Sequence, residues 1–401
     1  MKTEALKGYL VNLYKAMGLG EPVLSSVLLL GPPGIGKSTA VLETAKEIAA
    51  NSGKKFIDYD DSAAREILKD PEDYFLYVDF NLNDTEPSDL TGIPKETEIG
   101  MSYQPFLWAR CLSKASGILF LDEFTNVQRL DVITASYKIV LDHRAGFTKF
   151  SDKVMVVAAG NSPEESSVAN LLPSPLVGRF IVYKVELPTL EGWADWMDRN
   201  FENWDKRVLA YLMNFPDEFL KPPPESETLT NFPAPRSWTK VARLILEIPQ
   251  GFLKETIIGF LGPETGEKFS AFLEMRVPQI EELLRRPQIF KELDLEGKYL
   301  ASVFLGSYLQ KTMQESIKES LKKDEKIEEA IPLIRAIAKE KTEKVMPLIR
   351  VMMEEQKDFV VLSVISAGNR KQEISLALSE KEEAIKKVLK KIAPLRMELE
   401  G

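Results

Sequence analysis

The chain has one cysteine, Cys111, and one histidine, His143, in 401 residues. That scarcity excludes a disulfide framework, a zinc site of cysteine and histidine, and a cysteine–histidine catalytic dyad. It fits a reducing compartment. Long hydrophobic runs are missing too: stretches such as Val27–Leu30 fall far short of the ~18 apolar residues of a spanning helix. The opening MKTEALKGYLVNLYK is polar with a helical pattern and has no cationic segment leading into an apolar core, so it does not read as a signal peptide. A soluble, cytoplasmic protein without a membrane span is expected. Positive charge is also in deficit, with 52 Lys+Arg against 61 Asp+Glu and a net charge of −9. That balance disfavours broad nucleic-acid binding, because neutralising phosphates needs a basic surface. The deficit is uneven. Residues 311–401 carry 19 Lys+Arg and 17 Asp+Glu, net +2, leaving −9 − 2 = −11 on residues 1–310.

What is present is a globular composition, 44% hydrophobic and 9% aromatic. At ~150 residues per domain the length suggests two or three domains. In the first half, short apolar runs alternate with helical patterns, the signature of a parallel sheet covered by helices. The runs Val23–Leu30, Tyr74–Phe80, Ile118–Leu121, Val154–Ala159 and Phe180–Leu187 predict a five-stranded parallel sheet in an α/β/α sandwich. Helices are expected over Lys37–Ala50, Asp61–Lys69, Phe106–Lys114 and Leu130–Leu141. Strand signals stop after residue 188, so the expected division is an α/β domain at 1–188, a helical domain at 189–310 and a charged helical region at 311–401. "Pro-Leu-Ile-Arg" occurs at 332–335 and again at 347–350, which predicts two amphipathic helices, each with proline in its first turn.

Gly31-Pro32-Pro33-Gly34-Ile35-Gly36-Lys37-Ser38-Thr39 matches G-x-x-x-x-G-K-[ST], directly after a predicted strand and at the start of a predicted helix. Glycines at 31, 34 and 36 let the backbone turn its N–H groups around phosphate oxygens, and the helix aims its positive end at the same anion. Lys37 reaches the β- and γ-phosphates of a nucleotide, and the Ser38 hydroxyl is a ligand for Mg²⁺. Asp122 and Glu123 follow the apolar run Ile118–Leu121. An apolar run ending in two acids is common on its own. Downstream of a phosphate loop it supplies the second half of the site, with Asp122 near the metal and Glu123 polarising a water. Asn161, just after the run Val154–Ala159, is an uncharged strand tip able to orient water, or else simply the start of a turn. His143 reads as a polar cap at a helix end, not as a catalytic group.

The order of these motifs, followed by Pro175-Leu176-Val177-Gly178-Arg179-Phe180 and then Pro235-Arg236-Ser237-Trp238, resembles the AAA+ ATPases over about residues 20–260. Asp89-Leu90-Thr91-Gly92-Ile93-Pro94 and Leu141-Asp142-His143-Arg144 make it similar to the MoxR-like branch. The resemblance implies that Gly31 to Thr39 bind ATP, that Ser38 and Asp122 hold Mg²⁺, and that Glu123 and Lys37 are catalytic. It assigns Asn161 to sensor 1, Arg179 to an arginine finger delivered to a neighbouring subunit, and Arg236 to sensor 2 at the start of a lid helix. Residues 93–105 then correspond to a β-hairpin insert, with Tyr103 a candidate contact residue, and residues 148–153 to part of a second hairpin. A homo-oligomeric ring, usually a hexamer, is implied, acting as a chaperone-like remodeller with a protein partner that can carry a von Willebrand factor A domain. A restriction or nucleic-acid-processing motor, a P-loop kinase and a nucleotide-gated scaffold with little hydrolysis stay open as alternatives. The phosphate motifs do not read the base, so ATP is not distinguished from GTP by the motifs themselves.

Overall fold

In the computed structural model, residues 1–17, 26–162, 170, 172–222, 230–321 and 330–390 are described. Contacts divide the chain into two units, Met1–Pro188 and Thr189–Gly401.

In the first unit the apolar runs become strands: β1 (Ser26–Leu30), β2 (Lys55–Asp58), β3 (Tyr74–Asn81), β4 (Ile93–Thr97), β5 (Gly100–Gln104), β6 (Ser116–Asp122), β7 (Arg144–Ala145), β8 (Thr148–Lys149), β9 (Val154–Gly160) and β10 (Phe180–Lys184). The helices are α1 (Thr3–Met17), α2 (Lys37–Asn51), α3 (Ala64–Lys69), α4 (Pro87–Thr91), α5 (Leu107–Leu112), α6 (Leu130–Asp142) and α7 (Ser174–Val177). Six strands form one parallel sheet in the order β10-β1-β9-β6-β3-β2. β9 is buried along its whole length and β6 up to Asp122, as strands covered on both faces must be. Residues 23–25 of the first predicted strand lie outside the described residues.

The sheet has one strand more than the sequence predicts. β2 is only four residues long, with Lys55 and Asp58 exposed, so it presents no continuous apolar run. It closes the edge of the sheet by pairing with β3 in register Phe56↔Phe75. The two hairpins are antiparallel: β4 pairs with β5 between α4 and α5, and β7 pairs with β8 ahead of β9.

In the second unit the described residues form helices: α8 (Leu190–Asn200), α9 (Arg207–Asn214), α10 (Pro235–Leu244), α11 (Gln250–Leu261), α12 (Pro263–Leu273), α13 (Ile280–Arg285), α14 (Ile289–Glu292), α15 (Leu295–Leu321), α16 (Ala330–Glu355), α17 (Lys357–Ile365), α18 (Lys371–Ser379) and α19 (Glu383–Leu389). Aromatic side chains tie α8 to the segments before and after α9: Trp193 lies 5.4 Å from Trp204 and 5.6 Å from Phe219 between ring centroids. α15 runs unbroken through residues 310 and 311. Both copies of Pro-Leu-Ile-Arg fall in the single helix α16, where two helices were expected. Pro347 is tolerated inside α16 because it sits on the exposed face, where water can satisfy the carbonyl it leaves unpaired. Val345, Met346, Leu348 and Ile349 around it stay buried.

Candidate nucleotide site

The site is built at the carboxyl ends of β1, β6 and β9, adjacent strands whose tips are brought level by register: Leu30 pairs with Gly160, and Leu121 with Ala158. Between β1 and α2 the chain makes its phosphate-loop turn. Gly34 (φ 77°) and Gly36 (φ 97°) are in the left-handed region, which any side chain would strain. Gly31 serves a different need. A Cβ there would stand 2.4 Å from the Val185 carbonyl oxygen, so the loop can lie against the chain just after β10 only without one. Ile35 is buried, Pro32 and Pro33 are half-buried, and Thr39 is exposed on the first turn of α2.

Lys37 is 8% exposed, and its ammonium donates to the carbonyls of Gly31 (2.6 Å) and Pro32 (2.9 Å) and to Asn161 Oδ1 (3.5 Å). One cation thus joins the loop to the tip of β9. The Ser38 hydroxyl donates to Asp122 Oδ2 at 2.8 Å, while Asp122 Oδ1 accepts from the Glu123 N–H at 2.9 Å. A hydroxyl and a carboxylate oxygen at one point form the hard-oxygen donor set that Mg²⁺ prefers, so these residues fit that ion.

Glu123 has φ 60°, a conformation that costs a non-glycine residue about 1–2 kcal/mol. The turn persists because both neighbours are tied down: the Phe124 N–H donates to the Ala159 carbonyl at 2.7 Å and the Asn126 N–H to the Glu123 carbonyl at 2.8 Å. Asn126 Nδ2 also donates to Glu123 Oε2. The structure therefore brings together Gly31 to Ser38, Asp122, Glu123 and Asn161. Arg179 lies in the turn between α7 and β10, exposed, and its guanidinium has no hydrogen bond or ion pair among the described residues. Arg236 belongs to the second unit, exposed in the first turn of α10. Sequence reasoning missed Thr125 and Asn126. A polar pair in a loop carries no periodic signal, and only the tertiary contacts single it out.

Residues 27–184 match the family model AAA, the ATPase family associated with various cellular activities. That stretch of the chain is similar to an AAA ATPase domain. No curated protein matches the chain. Among solved structures, a RuvB mutant from Thermotoga maritima matches at 16% identity over 72% of this chain and 78% of its own, with a TM-score of 0.31. ORC1 from Aeropyrum pernix, in complex with DNA, matches at 16% identity over 79% of this chain and 71% of its own (TM-score 0.34). AMPPCP-bound DnaA from Aquifex aeolicus matches at 14% identity over 91% and 92% (TM-score 0.32).

In the candidate nucleotide site, His143 takes no part. It ends α6 in the left-handed conformation (φ 51°), is 2% exposed, and neither ring nitrogen has a hydrogen-bond partner among the described residues. The helix-end position is the expected one, and the imidazole there is buried. Burial, helped by the Lys149 charge, pushes its pKa down from 6.5 to about 4. A group that resists protonation in the folded state contributes stability that is full above pH 6.5 and lost as pH falls toward 4. A tenfold difference in proton affinity is worth about 1.36 kcal/mol, so the loss reaches about 3 kcal/mol below pH 4. Urea unfolding at pH 7.5 and pH 5 checks this: His143→Asn, which tolerates the same backbone, is expected to show the smaller drop.

Proposed function

We propose that this chain is a Mg²⁺-dependent AAA+ ATPase of MoxR-like type, working inside the cell as a homo-oligomeric ring, with hexamer the expected count. It couples ATP hydrolysis to remodelling a protein partner, which can carry a von Willebrand factor A domain. The observation that carries the hydrolytic part is the convergence of Ser38 with Asp122 at 2.8 Å, beside Glu123 and within a site where Lys37 also meets Asn161. In this reading the backbone N–H groups of residues 34 to 39 and the Lys37 ammonium grip the β- and γ-phosphates, Pro32 and Pro33 having no N–H to offer. Ser38 and Asp122 would hold Mg²⁺, which would supply positive charge against the phosphates. Glu123 accepts a proton from the attacking water as the water oxygen bonds to the γ-phosphorus and the bond from that phosphorus to the β-phosphate oxygen breaks, releasing ADP, while the Asn161 amide orients the water without adding negative charge. Arg179, from a neighbouring subunit, and Arg236 match the spreading γ-phosphoryl charge with planar guanidinium forks.

A protein partner is supported by the β4–β5 hairpin, where Ile99 (101% exposed), Met101 (70%) and Tyr103 (48%) present apolar surface to solvent. The net charge of −9 weighs against nucleic acid. Calorimetric titration with ATP tests the foundation. Saturable heat that needs Mg²⁺ and is lost in Lys37→Ala is expected; the absence of heat from the wild-type protein with Mg²⁺ overturns the whole reading.

A further inference from the structure

The turn bearing Glu123 and the strand tip bearing Asn161 are joined by side chains to which the chemistry above gives no role. Thr125 is 2% exposed, and its hydroxyl donates to the Asn161 backbone carbonyl at 2.8 Å, with Asn126 Oδ1 3.3 Å away as a second acceptor. The Asn126 amide then reaches Glu123 Oε2. Gly160 makes room for this arrangement, since a Cβ there would stand 2.1 Å from Thr125 Oγ1. The Thr125 carbonyl is itself held by the Asn170 N–H at 2.7 Å.

We propose that Thr125, working through Asn126, is a positioning residue that locks the Asn161 tip of β9 to the Glu123 turn, so that amide and carboxylate address the same atom. This rests on the hydrolytic reading of the site. Thr125 has one proton and two acceptors, one on each side of the join. Valine has the same shape without the hydroxyl, so it leaves the Asn161 carbonyl unsatisfied and the two sides free to slip. Misplacing catalytic groups by about 1 Å can cost about 100-fold in rate without loosening the grip on substrate.

The test is steady-state turnover together with ATP affinity. Thr125→Val is expected to lower kcat about 10- to 100-fold with ATP Kd within about twofold, and Thr125→Ser to recover to within about threefold of wild type. On an Asn161→Ala background, Thr125→Val should add less than about threefold, because much of what it aligns is already gone. Asn126→Ala, at a half-buried site, should lower kcat with Kd retained even if the valine variant folds poorly. Wild-type turnover in Thr125→Val or Asn126→Ala overturns the proposal. So does a Kd that weakens in step with kcat, a serine variant no better than valine, or full multiplication of effects in the double variant. Glu123→Gln separates the two levels. If it hydrolyses ATP like wild type, the hydrolytic reading fails; if it is inactive while Thr125→Val is unimpaired, only the positioning role fails.

Discussion

Glu123→Gln is expected to reduce ATP turnover by about 10²- to 10⁴-fold, the usual contribution of a positioned general base. The amide keeps the shape of the carboxylate but cannot take a proton from water. Nucleotide binding should survive, because Glu123 is separate from the Lys37 and Ser38–Asp122 contacts that define the phosphate and metal end of the site. The variant should therefore hold ATP without cutting it and, on the proposed remodelling function, retain a protein partner in ATP but not in ADP. Turnover equal to wild type would leave a nucleotide-gated scaffold as the better description. Equal capture in both nucleotides would remove the link between hydrolysis and partner release.

Arg179→Ala is expected to cost about 10³- to 10⁵-fold in turnover if its guanidinium is delivered across a subunit interface, with ATP affinity little changed. Its position suits such delivery: the side chain is exposed, and no described carboxylate pairs with it. Mixed oligomers give the decisive measurement. Arg179→Ala subunits retain the glutamate and Glu123→Gln subunits retain the arginine, so some interfaces in a mixture regain both groups. Recovery of activity on mixing two inactive proteins is the expected result. Confirmed mixed oligomers that stay inactive would sink a finger acting in trans.

The elements that the sequence made legible are those with one dominant local signal. β6 and β9 are apolar runs because strands covered on both faces cannot alternate. The phosphate loop is readable because Gly34 and Gly36 must adopt left-handed backbone and the following helix must begin at Lys37. β2 was not legible, since an edge strand with charged ends looks like a connector until β3 pairs with it. Nor was the unity of α16: Pro347 is a local stop signal, overridden by the buried residues on both sides of it. His143 ends α6 where the sequence puts a helix end, and only its burial in the folded chain shows that the imidazole is held neutral.

From its residues alone, this protein was bound to be a phosphate-gripping α/β chain with two acids at a strand end, because glycine torsions, strand hydropathy and helix starts are properties of short segments. Only the folded chain decided that Ser38 meets Asp122, that Lys37 reaches Asn161, and that Thr125 fills the space Gly160 leaves. Those pairs are 84, 124 and 35 positions apart, and nothing local ties one member to the other until the parallel register of β1, β9 and β6 brings their tips level.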